Sequence, residues 1–293
     1  MENAHAGFQR GKQRIRYKKI TAFILLFILM GILICFAFDI RLSTVFYTVE
    51  TDKIKGTVRL AFLSDLHSCA YGTGMRELIE AIEIQKPDAV LLGGDIFDDA
   101  LPHDNTEVLL KTITKNYPCF YVTGNHEYWS DDVKEIFALL SAYDVTVLQG
   151  DGQTVACNGN LMNICGIDDP EAGDYTGEKD FMQRQLENLR VFGENGFFTV
   201  LLAHRPEEIA VYLQYPFDLV LSGHAHGGQW RIPGILNGVF SPGEGWFPRY
   251  AGGQYFFEDT SMIVSRGLAR ESTKVPRIFN RPELVIIDIV PEK

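Results

Sequence analysis

Five short motifs in this 293-residue chain carry side chains able to hold cations. They are Ser64-Asp65-Leu66-His67, Gly93-Gly94-Asp95, Thr123-Gly124-Asn125-His126-Glu127, His204-Arg205-Pro206 and Gly223-His224-Ala225-His226-Gly227. Five of the seven histidines fall within them. Asp65 and His67 stand two apart, so in extended chain both face one side. His224 and His226 repeat the device. Gly94, Gly124 and Gly223 leave room for a tight turn or a close backbone approach beside these ligands. Carboxylate, imidazole and amide oxygen together suit Mn, Fe or Zn better than Ca or Mg. The donors exceed the needs of one tetrahedral zinc. They fit two divalent ions about 3.5–4 Å apart, the arrangement that clamps an in-line displacement at phosphorus.

Each motif follows an apolar run that reads as a strand: Val58–Leu63, 89–92, Cys119–Val122, 198–203 and 218–222. Helical patterns alternate with them at Arg76–Gln85, 107–115, 131–142, 179–189 and 207–213, with Pro206 at a tolerated first-turn position. Shorter strands follow at 154–157, 161–164, 261–265 and 284–289. The alternation predicts an α/β fold with a largely parallel sheet and crossover helices. The C-terminal ends of such strands share one edge, where ligands bind. Residues 227–253 read as an extended loop rich in Gly, Pro and aromatics, including Trp230, Phe240, Trp246, Phe247 and Tyr250. These rings either pack beneath the loop or form a rim that touches lipid or an apolar part of a substrate.

Several neighbours read as ordinary. Asp98 and Asp99 support the motifs or face solvent, Cys69 is a packed thiol, and His5 and His103 are not ligands. Gly72-Thr73-Gly74 lacks a third glycine and reads as a turn into a helix. Arg205 and Arg266 are candidates to contact substrate phosphate, and ordinary ion pairs suit them equally.

Residues 20–38 form a 19-residue run with 17 apolar side chains, long enough as a helix for a bilayer's hydrocarbon layer. The run has no polar stripe, so it is not a core helix. It is long for a signal h-region, and Cys35-Phe36-Ala37-Phe38-Asp39 is not a small-x-small cleavage site. The expected organisation is a basic cytoplasmic tail at 1–19, a membrane anchor at 20–38, a stalk at 39–56 and the catalytic domain at 57–293. Six bases and one acid in residues 1–19 place the N-terminus in the cytoplasm and the domain on the far side. The whole chain carries a net charge of -11, so removing that tail leaves 21 bases against 37 acids. So acidic a body disfavours nucleic acid as a partner. With 46% hydrophobic and 22% charged residues the chain is globular, and five cysteines without a CxxC argue against a disulfide framework or thiolate zinc site.

The ordered set Asp-x-His, Gly-Asp, Gly-Asn-His-Glu, His and Gly-His-x-His resembles the calcineurin-like metallophosphoesterases over residues 57–293. Ser64-Asp-Leu-His67, Ser222-Gly-His-Ala-His-Gly-Gly-Gln229 and Ser265-Arg-Gly-Leu268 look most like the membrane-associated YkuE/YaeI-type members. The resemblance implies an α/β sandwich of two mixed sheets flanked by helices. It implies one metal on Asp65, His67, Asp95 and His226, and a second on Asp95, Asn125, His204 and His224. Asp95 would bridge them, and a metal-bridging hydroxide would attack phosphorus. His126 would stabilise the phosphoryl charge or protonate the leaving oxygen. Two Mn ions are expected, with Fe or Zn as alternatives. Glu127, which stands where some relatives have Asp, is not a ligand. The implied activity is hydrolysis of a phosphoester or phosphodiester, from a lipid or cell-envelope component given the anchor. The competing readings are a nuclease of the same superfamily and a non-catalytic metal-stabilised scaffold; the sequence leaves the oligomeric state open.

Overall fold

The computed structural model describes residues 2–130, 132–270 and 275–292, and the side chains from residue 16 onward. The side chain of His5 and part of the basic tail therefore lie outside the described residues. The chain forms two units, Met1–Asp39 and Ile40–Lys293. The first is the helix α1 (Glu2–Ala37). Its segment Arg16–Ala37 has a mean hydropathy of 2.9 and exposes its large apolar side chains.

The second unit contains two six-stranded sheets. Its strands are β1 (Ser43–Thr51), β2 (Val58–Leu63), β3 (Ala89–Gly93), β4 (Cys119–Val122), β5 (Thr146–Val147), β6 (Asp151–Cys157) and β7 (Asn160–Gly166). They continue with β8 (Phe198–Leu202), β9 (Leu219–Ser222), β10 (Phe240–Ser241), β11 (Gly245–Trp246), β12 (Gly253–Phe256), β13 (Ser261–Val264) and β14 (Glu283–Pro291). The first sheet has the order β1-β14-β2-β3-β4-β5 and the second β12-β13-β9-β8-β7-β6. Each is mixed: β2, β3 and β4 run parallel while β14 pairs antiparallel with β2, and β7, β8, β9 and β13 run parallel while β6 and β12 are antiparallel.

Alternation along the strands builds the layers. Val58, Leu60 and Phe62 of β2 join Val200, Leu202, Leu219 and Leu221 in a core between the sheets. Ala61 and Leu63 point the other way, into a cluster with Leu78, Ile82, Leu109, Leu110 and Ile136. Those residues come from the helices α2 (Arg76–Gln85), α3 (Asp104–Ile113) and α5 (Val133–Ala142). The outer face of the second sheet packs Leu186 and Tyr212, from α7 (Phe181–Asn188) and α8 (Ile209–Tyr212). Strands buried on both faces must be apolar throughout, which is why β3 reads Ala-Val-Leu-Leu-Gly. The shorter α4 (Asn125–Trp129) and α6 (Glu171–Thr176) complete the set.

Two expectations need correction. Residues 39–56 are not a stalk, because β1 pairs with β14 in register from Ser43↔Glu283 to Thr51↔Pro291. Its Ser-Thr-Val-Phe-Tyr-Thr-Val sequence is rich in β-branched and aromatic residues and finds its partner some 240 residues away. The stretch 227–253 contains a small hairpin of β10 and β11 rather than loop alone.

Candidate metal centre

The five motifs occupy the C-terminal ends of β2, β3 and β4 in one sheet and of β8 and β9 in the other. Cross-sheet hydrogen bonds hold the two groups together. His204 Nδ1 pairs with the Gly93 carbonyl at 2.8 Å, and the His224 amide donates to Asp65 Oδ1 at 2.9 Å. Within the first sheet the Asp65 amide donates to Gly94 O at 3.0 Å and the His67 amide to Asp95 O at 2.9 Å.

Donor atoms of Asp65, His67, Asp95 and His226 lie within 4.8 Å of one another, and so do donors of Asp95, His204 and His224. Asp95 belongs to both groups. Its Oδ2 stands 3.1 Å from His204 Nε2 and 3.6 Å from His67 Nε2. Its other oxygen accepts the His126 amide at 2.9 Å. Asn125, the residue before His126, is buried, and its Oδ1 has no hydrogen-bond partner among the described residues.

These residues fit divalent cations. Buried polar atoms almost always find partners, yet His67 Nε2, Asn125 Oδ1, His204 Nε2, His224 Nε2 and His226 Nδ1 all lack one. Four imidazole nitrogens and an amide oxygen around two buried carboxylates have the chemistry of a metal-ligand set. The backbone is specialised too. Asp65, His67, Asp95, His224 and His226 all adopt left-handed φ, between 47° and 62°. Such conformations are costly outside glycine and gather at functional sites. Gly94, at φ 87°, must be glycine for a second reason. A Cβ there would stand 2.6 Å from His204 Nδ1 and 2.8 Å from the Gly124 amide.

The electrostatics reflect how closely these carboxylates and imidazoles crowd. Burial pushes the Asp95 carboxyl up, but the charges of His204, His67 and His126 outweigh it and hold the group well below its usual range. Burial, reinforced by Asp95, raises Asp65. Burial lowers His204, yet Asp95 overcomes it and carries the imidazole up to about 10. His224 and His226 are driven well below their usual values by burial, with neighbouring positive groups adding to the effect. They are neutral, the form in which imidazole binds metal.

Surrounding side chains fix the ligands. Asp98 accepts from His67 Nδ1 at 3.1 Å, leaving Nε2 as the inward lone pair. Asp99 Oδ1 lies 2.7 Å from His126 Nδ1. Glu127 reaches back along α4 to take the amides of Gly124, Asp95, Ile96 and Phe97 at 2.7 to 3.1 Å. Its carboxylate thus shapes the backbone around Asp95. Glu207 Oε1 lies 3.8 Å from His224 Nε2, and its Oε2 is buried without a partner. Sequence spacing gave no signal for Glu207, which a one-turn 3-10 helix after His204 brings inward.

The two arginines are engaged elsewhere. Arg205 makes a fork with the buried Asp169 at 2.8 and 2.9 Å, and Arg266 forks onto the buried Glu283. Of the two roles open to them in the sequence, the structure shows the ion pairs. Cys69 is buried, His103 bonds the Asp98 carbonyl, and Gly72 leads into the turn before α2.

Known proteins are similar to this chain. The profile of the calcineurin-like phosphoesterases matches residues 58–228. The metallophosphoesterase YkuE of Bacillus subtilis is 28% identical over 242 residues, 79% of this chain and 78% of that protein. Phosphodiesterase YaeI of Escherichia coli is 29% identical over 239 residues, covering 79% and 82%. Among solved structures, the sulfate thiohydrolase SoxB of Thermus thermophilus shares the fold with a TM-score of 0.50 and 14% identity. That match covers 74% of this chain and 53% of the other.

Proposed function

The chain belongs to the calcineurin-like phosphoesterase family as a metal-dependent phosphoester hydrolase, and from that premise we propose that it is a membrane-anchored enzyme working with a pair of divalent cations. The observation that carries the pair is Asp95, one carboxylate common to two clusters of orphaned donors. Asp65, His67, Asp95 and His226 would hold one cation, and Asp95, Asn125, His204 and His224 the other. Mn suits this mixture of nitrogen and oxygen donors, with Fe or Zn as alternatives. When bound, the cations supply the positive charge that polarises the phosphoryl group and acidifies the attacking water.

The chain's own residues do the rest. Asp98 and the Gly93 carbonyl orient His67 and His204 so that their Nε2 atoms face the centre. His126 lies at the rim, its side chain 23% exposed, with Nδ1 tied to Asp99. That leaves Nε2 to reach the phosphoryl group or pass a proton to the leaving oxygen. The relative named phosphodiesterase favours diesters as first substrates to test. Arg16–Ala37 as a helix of 22 residues would span about 33 Å, enough for a bilayer. Bases preceding it favour a cytoplasmic N-terminus and an extracytoplasmic domain. A phosphoester near lipid headgroups or the cell envelope is then the accessible substrate.

The test is turnover of bis-p-nitrophenyl phosphate and p-nitrophenyl phosphate by the full chain loaded with Mn. Hydrolysis is expected for at least one ester, falling about 100-fold or more in Asp95→Asn. Full metal loading with neither ester turned over would contradict the reading.

A further inference from the structure

A second feature adjoins this centre without entering it. Trp230, Val239, Phe240 and Trp246 wall an open groove of about 330 Å³ that exposes only apolar atoms. The volume lies at the lower end for a ligand site and suits part of a molecule rather than a whole one. Of its walls, Trp246 is 71% exposed and Trp230 and Phe240 are also exposed.

The groove is built and not merely uncovered. Phe240 and Trp246 are a cross-strand pair of the β10–β11 hairpin, their rings 5.6 Å apart and edge to face. Trp230 Nε1 donates to the Pro276 carbonyl at 3.0 Å, which fixes that ring. The hairpin is tied to the metal-centre turn: the Val239 amide donates to Gly228 O at 3.0 Å, and Phe247 to Val239 O at 2.7 Å. Gly228, itself in the groove wall, stands two residues after His226, so their Cα atoms are at most about 7.6 Å apart. Asn280 Nδ2 locks the same turn by donating to the His226 carbonyl at 2.7 Å. The apolar groove thus shares with the candidate centre the turn His226–Gly228.

We propose that this groove takes the hydrocarbon chain of an amphiphilic phosphoester whose phosphate lies at the metal centre, so that the substrate class is a lipid phosphoester. The inference rests on the phosphoesterase reading above. Continuity with the His226 turn supplies the occupant's chemistry: a phosphate at one end, an apolar tail at the other. The apolar helix Arg16–Ala37 supplies the setting, because a chain held at a bilayer meets such molecules at high local concentration. The open wall lets a tail enter sideways, without first leaving water for an enclosed pocket.

The experiment uses the full chain in lipid nanodiscs, loaded with Mn, against alkyl p-nitrophenyl phosphodiesters with methyl, butyl and octyl chains. The chromophore is constant, so only the tail varies. KM is expected to fall about tenfold or more from methyl to octyl, since each buried methylene adds affinity. In the double variant Phe240→Ser/Trp246→Ser that dependence should flatten while methyl-ester turnover stays as in the wild type. A flat KM series in the wild type overturns the proposal. So does a chain-length dependence that survives in the double variant, which would assign it to partitioning into the nanodisc. A shift in oligomeric state with the dependence intact would make the groove an interface between copies instead. Absence of turnover on every ester, methyl included, would overturn the phosphoesterase reading itself.

Discussion

His126 is held differently from the four histidines that crowd Asp65 and Asp95. Those four are at most a few per cent exposed, with orphaned nitrogens, whereas His126 sits at the rim against His67 and Trp129. In the proposed mechanism its ring serves the substrate, although its nitrogen also lies within 4.8 Å of donors on His67 and Asp98. His126→Ala should slow turnover about 100-fold while leaving both cations bound, as metal analysis of the purified variant would show. Loss of a cation in that variant would mean that His126 is a ligand. At this scale the candidate ligand residues are legible because alternating spacing and strand-end position survive in one dimension. The supporting acids are legible only in part: Asp98 and Asp99 read as supporting the motifs or facing solvent, with no partner assigned. Asp98 and Asp99 are adjacent yet serve two different histidines, which depends on how one turn bends. Likewise the partners of Arg205 and Arg266 lie 36 and 17 residues away, beyond any local pattern.

Helix α1 is the element whose role reaches furthest beyond its own contacts. Its large apolar side chains from Ile20 to Phe36 are exposed, which suits lipid and not water. The proposed orientation predicts that protease added to intact cells cuts the domain, with control external proteins cut in parallel. Complete protection of the domain under those conditions would reverse the topology. Elements with two buried faces, such as β3 and β9, announced themselves as unbroken apolar runs. The edge strand β1 did not, since its pattern mixes polar and apolar residues and its identity depends on β14 at the other end of the chain. The β10–β11 hairpin was hidden for a similar reason: two-residue strands carry no period, and only their pairing defines them.

At the level of the whole domain, the candidate centre requires two sheets packed face to face, with the C-terminal ends of their strands side by side. The two clusters that share Asp95 each draw on both sheets, while the group His67, Asp98 and His126 comes from the first sheet alone. Asp65, His67 and Asp95 come from the first, and His204, His224 and His226 from the second. The core between the sheets, with Phe62, Leu91, Val200 and Leu221 fully buried, holds that register, and the cross-sheet bonds of His204 and His224 refine it. The acidic charge of the body takes a new meaning here, because Asp65 and Asp95 are buried where cations would offset them. An acidic protein can thus attract phosphate at one point on its surface. Coupling of two cations through Asp95 can be read by electron paramagnetic resonance of the Mn-titrated full chain. Two Mn per chain with an exchange-coupled spectrum is the predicted result, lost in Asp95→Asn. Saturation at one Mn, or two Mn with the spectra of isolated ions, would contradict it.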